Sequence, residues 1–225
     1  MAIFDQEASE YDTWYQSNLG KFVDQVETEL AFSLFKPEGE MKILDVGCGT
    51  GNFSIKLAEM GCKVIGIDKS EKMLEEAKRK AEIKGLNIEF LNMDVYDIEL
   101  SDESFDGVFS MAAFEFIKRP KKAYDEMYRV LKKGGYLLIG TINRDSKWGE
   151  LYMSEPFQEN SVFKYADFKS MDDMESWDSE NIVTSGEALF LPPNTEDENV
   201  SLELDKEFSA SGRGGFICML WKKEK

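Results

Sequence analysis

Short, nearly unbroken apolar runs alternate with longer amphipathic stretches through the middle of this chain. The runs MKILDVG (41–47), KVIGID (63–68), IEFLNMD (88–94), FDGVFSM (105–111) and YLLIGTI (136–142) have the length and character of strands. Between them, 51–60, 70–84 and 120–133 carry apolar residues at helical spacing, and the second is bracketed by Ser70 as a cap and Gly85 as a stop. Ahead of the first run, residues 4–35 read as two aromatic-rich helical segments that end at Lys36-Pro37-Glu38-Gly39. After the fifth, 144–181 is irregular and helix-like, and TSGEALFLP (184–192) and GGFICMLWKK (214–223) form a last pair of strand candidates.

Alternating strand and helix with apolar strands predicts an α/β fold: a mostly parallel seven-stranded sheet with helices on both faces and an N-terminal helical cap. In such a sheet, ligands bind outside the carboxyl ends of the strands, near the switch point. The 225 residues suit one domain. Its expected parts are a cap (1–36), a ligand-binding core (40–143), a substrate lid (144–181) and closing strands (182–225). No internal repeat or low-complexity tract interrupts it.

Composition narrows the chemistry. Hydrophobic content of 42% and charged content of 32% are those of a globular protein. No stretch approaches the roughly 18 consecutive apolar residues of a membrane span. The acidic start MAIFDQEASEYD lacks the pattern of a signal peptide, so a cytoplasmic location is expected. Cys48, Cys62 and Cys218 are odd in number and far apart, which argues against a disulfide framework and against a metal site. Histidine is absent, which removes the commonest general base.

The formal charge is −17, and residues 151–207 hold 15 Asp and Glu against Lys164, Lys169 and Lys206. Such a surface disfavours nucleic acid and stable membrane association, and otherwise serves solubility. Aromatics in the N-terminal helices fit either a lid or a dimer surface, so monomer and homodimer both stay open.

The chemistry concentrates in ILDVGCGTGN (43–52), a strand that runs into Gly47, Gly49 and Gly51. Glycines there permit a tight turn and close approach of a helix N-terminus to a ligand. The spacing alone fits several nucleotide binders, but the dinucleotide fingerprint wants a third glycine at position 52, where Asn52 stands. Asp45 precedes the glycines, Asp68 ends the second strand and Asp94 ends the third. Asp68 is placed to accept ribose hydroxyls, and Asp94 to accept from an exocyclic adenine amine. Three carboxylates at one sheet edge suit a ligand bearing a sulfonium and an ammonium better than a pyrophosphate.

The segments LDVGCGTGNFS, GIDKSEKML, NMDVYDI, SFDGVFSMAAFEFI and EMYRVLKKGGYLLIGTIN resemble, in order and spacing, the class I S-adenosylmethionine-dependent methyltransferases. The resemblance is to the small-molecule branch that includes ubiquinone and menaquinone methyltransferases. It implies a Rossmann-like three-layer sandwich, S-adenosylmethionine as cofactor, S-adenosylhomocysteine as product and a small-molecule methyl acceptor. It also implies that Asp45, Gly47, Cys48, Gly49 and Gly51 wrap the methionine end, with Asp68, Lys69 and Met73 at the ribose. Asp94 and Val95 would bracket the adenine, and Ser110 and Met111 would back the sulfonium. EYDTWY resembles the family's Tyr-Asp-x-Trp segment, in which Tyr11 and Tyr15 cover the cofactor. On residue type alone, Cys48 also reads as a small packing residue and Met73 as core.

Many relatives carry a histidine shortly after the fourth strand, where this chain reads SMAAFEFIKRP with Glu115 at the corresponding position. Glu115, with Tyr11, is therefore the candidate for a catalytic role, as a base or as a binder of a cationic acceptor; the bland reading is a solvated loop carboxylate. Asn143, Arg144 and Trp148 fall in the loop that should face the acceptor, although Arg144 could equally pair with a surface carboxylate. Tyr152, Phe157, Phe163 and Tyr165 are candidate pocket walls, with core packing the commoner fate for such residues. A non-catalytic cofactor-binding regulatory module is the alternative to an enzyme.

Overall fold

The computed structural model describes residues 4, 5, 11–159 and 161–224. Ser17 caps α1 (Asn18–Leu34) by accepting from the Gly20 amide, and the helix buries Phe22, Val23 and Val26 along one stripe. A 3-10 turn, Tyr11–Gln16, precedes it. The core then alternates: β1 (Lys42–Val46), α2 (Asn52–Glu59), β2 (Lys63–Asp68), α3 (Glu71–Ile83), β3 (Glu89–Asn92), β4 (Phe105–Met111), α4 (Pro120–Val130) and β5 (Leu131–Ile142). Ser70 accepts from the Met73 amide to start α3, and Gly85 ends the helical turn at φ 66°. Short helices α5 (Lys147–Tyr152), α6 (Glu155–Glu159) and α7 (Met171–Glu175) follow, and β6 (Ile182–Ala188), α8 (Leu202–Ser209) and β7 (Phe216–Lys222) complete the chain.

The seven strands lie in the order β3-β2-β1-β4-β5-β7-β6. β1 to β5 are parallel, and β7 inserts antiparallel between β5 and β6. Winding reverses between β1 and β4, which opens a crevice at their carboxyl ends.

Neighbouring strand residues sort to opposite faces. Leu44, Val108, Leu137 and Ile139 pack against Ala123, Tyr124 and Met127 of α4. Ile43, Phe109 and Leu138 pack against Phe22, Val23 and Val26 of α1. Both faces are thus covered, as the apolar strands predict.

Two boundaries differ from the sequence reading: the strand expected over 184–192 is β6, which ends at Ala188, where Leu189 turns to φ 64°, and the helix expected over 120–133 ends early. α4 stops at Val130, short of 133, and β5 begins at Leu131, well before 136. Leu131 is fully buried and pairs with Phe105, and Gly134 adopts φ 78°, a conformation no helix accommodates.

Candidate active site

The loop after β1 turns back on β2. The amides of Gly47 and Cys48 donate to the Ile67 carbonyl at 2.8 and 3.0 Å. Gly47, Gly49 and Gly51 take φ 69°, 53° and 77°, the left-handed region that side chains disfavour. Gly47 also tolerates no side chain for want of space, because a Cβ there would stand 2.6 Å from the Ala113 Cβ.

Asp68 ties this loop to the start of α3. Its carboxylate accepts from the Gly49 amide at 2.9 Å and from the Ser70 amide at 2.8 Å. Burial nonetheless raises the carboxyl above its ordinary range, against those two amides. Asp94 accepts from the Tyr96 amide at 3.0 Å and pairs with Lys69 at 2.8 Å. Partial burial pushes its carboxyl up, but the Lys69 ammonium and the Tyr96 amide outweigh that and hold it low.

Gly47, Gly49, Asp68, Lys69, Met73, Asp94 and Val95 all line one cavity of about 580 Å³. Asp45 lies just behind it, fully buried, accepting from the Ser54 hydroxyl at 2.5 Å. Burial, reinforced by the charge of Asp68, pushes Asp45 up to about 7. With Cys48, Tyr15 and Met111 it lines a narrow cleft at the glycine loop. The Cys48 side chain packs with Leu74, Ala77 and Phe90, and burial pushes its thiol up, so it is a packing thiol rather than a reactive one.

A second cavity, about 390 Å³, adjoins the first. Its walls include Trp14 and Tyr15 from the N-terminal turn, Phe116 after β4, and Tyr152, Phe157 and Phe163 from the segment after β5. Three of the four aromatics expected mainly to pack a core are therefore wall, while Tyr165 is exposed. Both cavities share Phe4, Ala112 and Phe116.

Glu115 opens onto the second cavity and is no solvated loop residue: it is 1% exposed. Its carboxylate accepts from the Thr141 hydroxyl at 2.9 Å. Burial pushes it up to about 7 despite that hydroxyl and the nearby Lys169 ammonium. Glu27 of α1 lines the same cavity and the cleft at Asp45. Burial, then the charges of Glu115 and Asp24, raise the Glu27 carboxyl well above its ordinary value.

Some expected site residues have structural duties instead. The Ser110 hydroxyl donates to the Val46 carbonyl at 2.8 Å, stitching β4 to β1. Asn143 donates to the Gly214 carbonyl, and the Trp148 indole donates to that of Leu191. Arg144 pairs with Asp173 at 2.7 Å. None of these four lines either cavity. Tyr11 begins the 3-10 turn, but its side chain lies outside the described residues.

Ala112 and Glu27 are among the cavity residues that went unread in the sequence. Ala112, at φ 51°, borders both cavities and the glycine cleft, and its one signal was the small pair Ala112-Ala113 after an apolar strand. Glu27 gave only a carboxylate beside the apolar stripe Val23 and Val26.

Residues 44–139 match the methyltransferase domain family. The chain belongs to the class I S-adenosylmethionine-dependent methyltransferases. Along its whole length it resembles an uncharacterised protein of Methanocaldococcus jannaschii, 29% identical over 99% of this chain and 100% of that one. A demethylmenaquinone methyltransferase of Clavibacter sepedonicus is 35% identical over 61% of this chain and 56% of its own. The chain thus spans little more than half of that quinone methyltransferase. A crystal structure from Thermotoga maritima, described as an S-adenosylmethionine-dependent methyltransferase and possible histamine N-methyltransferase, superposes with a TM-score of 0.76 and 27% identity, covering 99% and 98% of the two chains.

The residues of this methyltransferase fit the family's cofactor. A Cβ at Gly49 would meet nothing within 4 Å, so the backbone there faces open space that a ligand can fill. Asp68 and Asp94 face the same cavity as the apolar walls Met73 and Val95, and two acceptors beside apolar walls suit the hydroxyls, amine and ring of a ribosyl purine. Among the described residues no group of acidic residues or cysteines could hold a metal ion.

Proposed function

We propose that this chain transfers a methyl group from S-adenosylmethionine to a small-molecule acceptor, with S-adenosylhomocysteine as product. The observation that carries the reading is the shared wall: a cavity with hydrogen-bond acceptors for the cofactor meets an aromatic cavity at Ala112. Such adjacency lets donor and acceptor meet in line while water is kept out.

When bound, the cofactor supplies a methyl group already activated by a positive sulfur. Asp68 holds the ribose, Asp94 receives the adenine amine, and Gly47 and Gly49 let the backbone approach the methionine end. Tyr15, between the glycine cleft and the aromatic cavity, covers the reacting centre, and Tyr11 is assigned the same duty from the sequence. Glu115 holds or accepts a proton at the acceptor, a role open to it in a chain without histidine. Residues 144–181, which supply Tyr152, Phe157 and Phe163, are the substrate lid, and 1–36 are the cap.

A cytoplasmic setting accords with three buried, unbridged cysteines, and no helix among the described residues is long and apolar enough to cross a membrane. Turnover separates an enzyme from a cofactor-binding regulator. Glu115→Gln is expected to keep S-adenosylhomocysteine affinity within about twofold and to lower kcat by about a hundredfold. Retained turnover in that variant contradicts the role of Glu115, and absence of turnover in the wild type over a broad acceptor screen favours the regulator.

A further inference from the structure

Glu27 has no hydrogen-bond or ion-pair partner among the described residues, although it faces an apolar, aromatic cavity. Lys56, the cation near enough to favour its charge, is committed to Asp24 at 2.5 Å and to Thr28 at 2.7 Å. Across the cavity Glu115 is compensated in part by Thr141 and by Lys169, whose own ammonium is engaged by Asp167. Two carboxylates so placed repel one another and gain most from a cation between them. Trp14, Tyr15, Phe116 and Tyr152 line the same space, and aromatic rings attract cations at their π-faces. No lysine or arginine lines this cavity among the described residues, so nothing there meets an acceptor's carboxylate or phosphate.

We infer that the methyl acceptor is an organic amine with an apolar body and no anionic group, its ammonium held between Glu27 and Glu115. This assignment rests on the methyl-transfer reading and deepens it. The amine enters as an ammonium and gives one proton to the carboxylate pair. Its freed lone pair then forms the nitrogen–carbon bond to the methyl group as the carbon–sulfur bond breaks, the electron pair of that bond passing to sulfur. The products are an N-methylammonium, S-adenosylhomocysteine and one proton, which the carboxylate returns to water. Glu27 also borders the cleft of Asp45, so the competing occupant is the cofactor's own ammonium.

Calorimetric titration of the S-adenosylhomocysteine-saturated protein with 2-phenylethylamine, 2-phenylethanol and L-phenylalanine distinguishes these. The amine is expected to bind at least about tenfold more tightly than the neutral alcohol and the zwitterion. Glu27→Gln is expected to lower amine affinity about tenfold and to leave S-adenosylhomocysteine affinity within about twofold, which also certifies its fold. Equal or tighter binding of the alcohol, no binding of the amine, or amine affinity unchanged in Glu27→Gln overturns the inference. Loss of S-adenosylhomocysteine affinity in that variant assigns Glu27 to the cofactor ammonium and overturns it too. Failure of the wild type to bind S-adenosylhomocysteine at all refutes the methyl-transfer reading itself, and is seen before any amine is added.

Discussion

The carboxylate of Asp12 accepts a hydrogen bond from the Thr50 hydroxyl at 2.8 Å, fastening the N-terminal turn to the glycine loop. The same carboxylate accepts from Asn52 at 3.0 Å and pairs with Lys80 at 2.6 Å, both partners only partly exposed. Hydrogen bonds to a charged group in such a setting are worth about 1.5–3 kcal/mol each. Asp12→Ala is therefore expected to weaken S-adenosylhomocysteine binding about tenfold, because the turn carrying Trp14 and Tyr15 loses its anchor. Limited proteolysis provides an independent check: the cofactor should slow cleavage within residues 1–20 of the wild type and should not do so in the variant. Equal protection in both contradicts the anchor.

Among the described residues Ala112 is the single wall common to the two cavities and the glycine cleft, and it holds φ 51°. Valine there adds backbone strain of about 1–3 kcal/mol and fills the junction. Ala112→Val is expected to cost more than about tenfold in affinity for S-adenosylhomocysteine and to abolish turnover. Ala112→Gly, which relieves the φ, should melt within a few degrees of the wild type and keep binding. Calorimetry and thermal melts on the pair check both, and a fully active valine variant contradicts the junction.

Glu115 gives a prediction in pH. Its ordinary value of 4.5 rises to about 7 in the fold because burial penalises the charged form. A carboxyl raised on folding costs nothing well below its unfolded value, and the cost grows as pH rises from 4.5 through about 7. Two and a half units correspond to roughly 3 kcal/mol at full ionisation. Glu115→Gln, which keeps the Thr141 contact without the charge, is expected to stabilise the unliganded protein by an amount on that order at pH ~8 and by about half of it at pH ~5.5. Denaturant melts at the two pH values read this directly. A variant less stable than the wild type at the higher pH contradicts a buried, penalised charge.

The parts of the site fixed by strand ends were legible in the sequence. Gly47, Gly49, Asp68 and Asp94 stand where a strand stops, and the parallel sheet brings those stops to one edge. Duties that depend on three-dimensional packing were not. Which of Ser110, Met111 and Ala112 faces the cavities depends on where β4 leaves the sheet, and Ala112, at positive φ, lines both of them. Asn143 and Trp148 look like ligand groups by type, yet the buried carbonyls of Gly214 and Leu191 require their donors. Glu27 comes to the site because α1 lies across the sheet face of Phe109 and Leu138, a docking no local pattern encodes. Apolar periodicity also carries no strand direction, so the antiparallel insertion of β7 between β5 and β6 is not legible in it.

The central claim is that the cavity at Asp68 takes S-adenosylmethionine. Calorimetric titration of the purified protein with S-adenosylmethionine and S-adenosylhomocysteine, wild type beside Asp68→Ala, tests it most directly. The variant removes the proposed ribose acceptor and the contact to the Gly49 amide together. Micromolar binding of both ligands to the wild type, weakened at least about tenfold in the variant, is the predicted result. Absence of binding to the wild type, or equal affinity in the variant, contradicts the account.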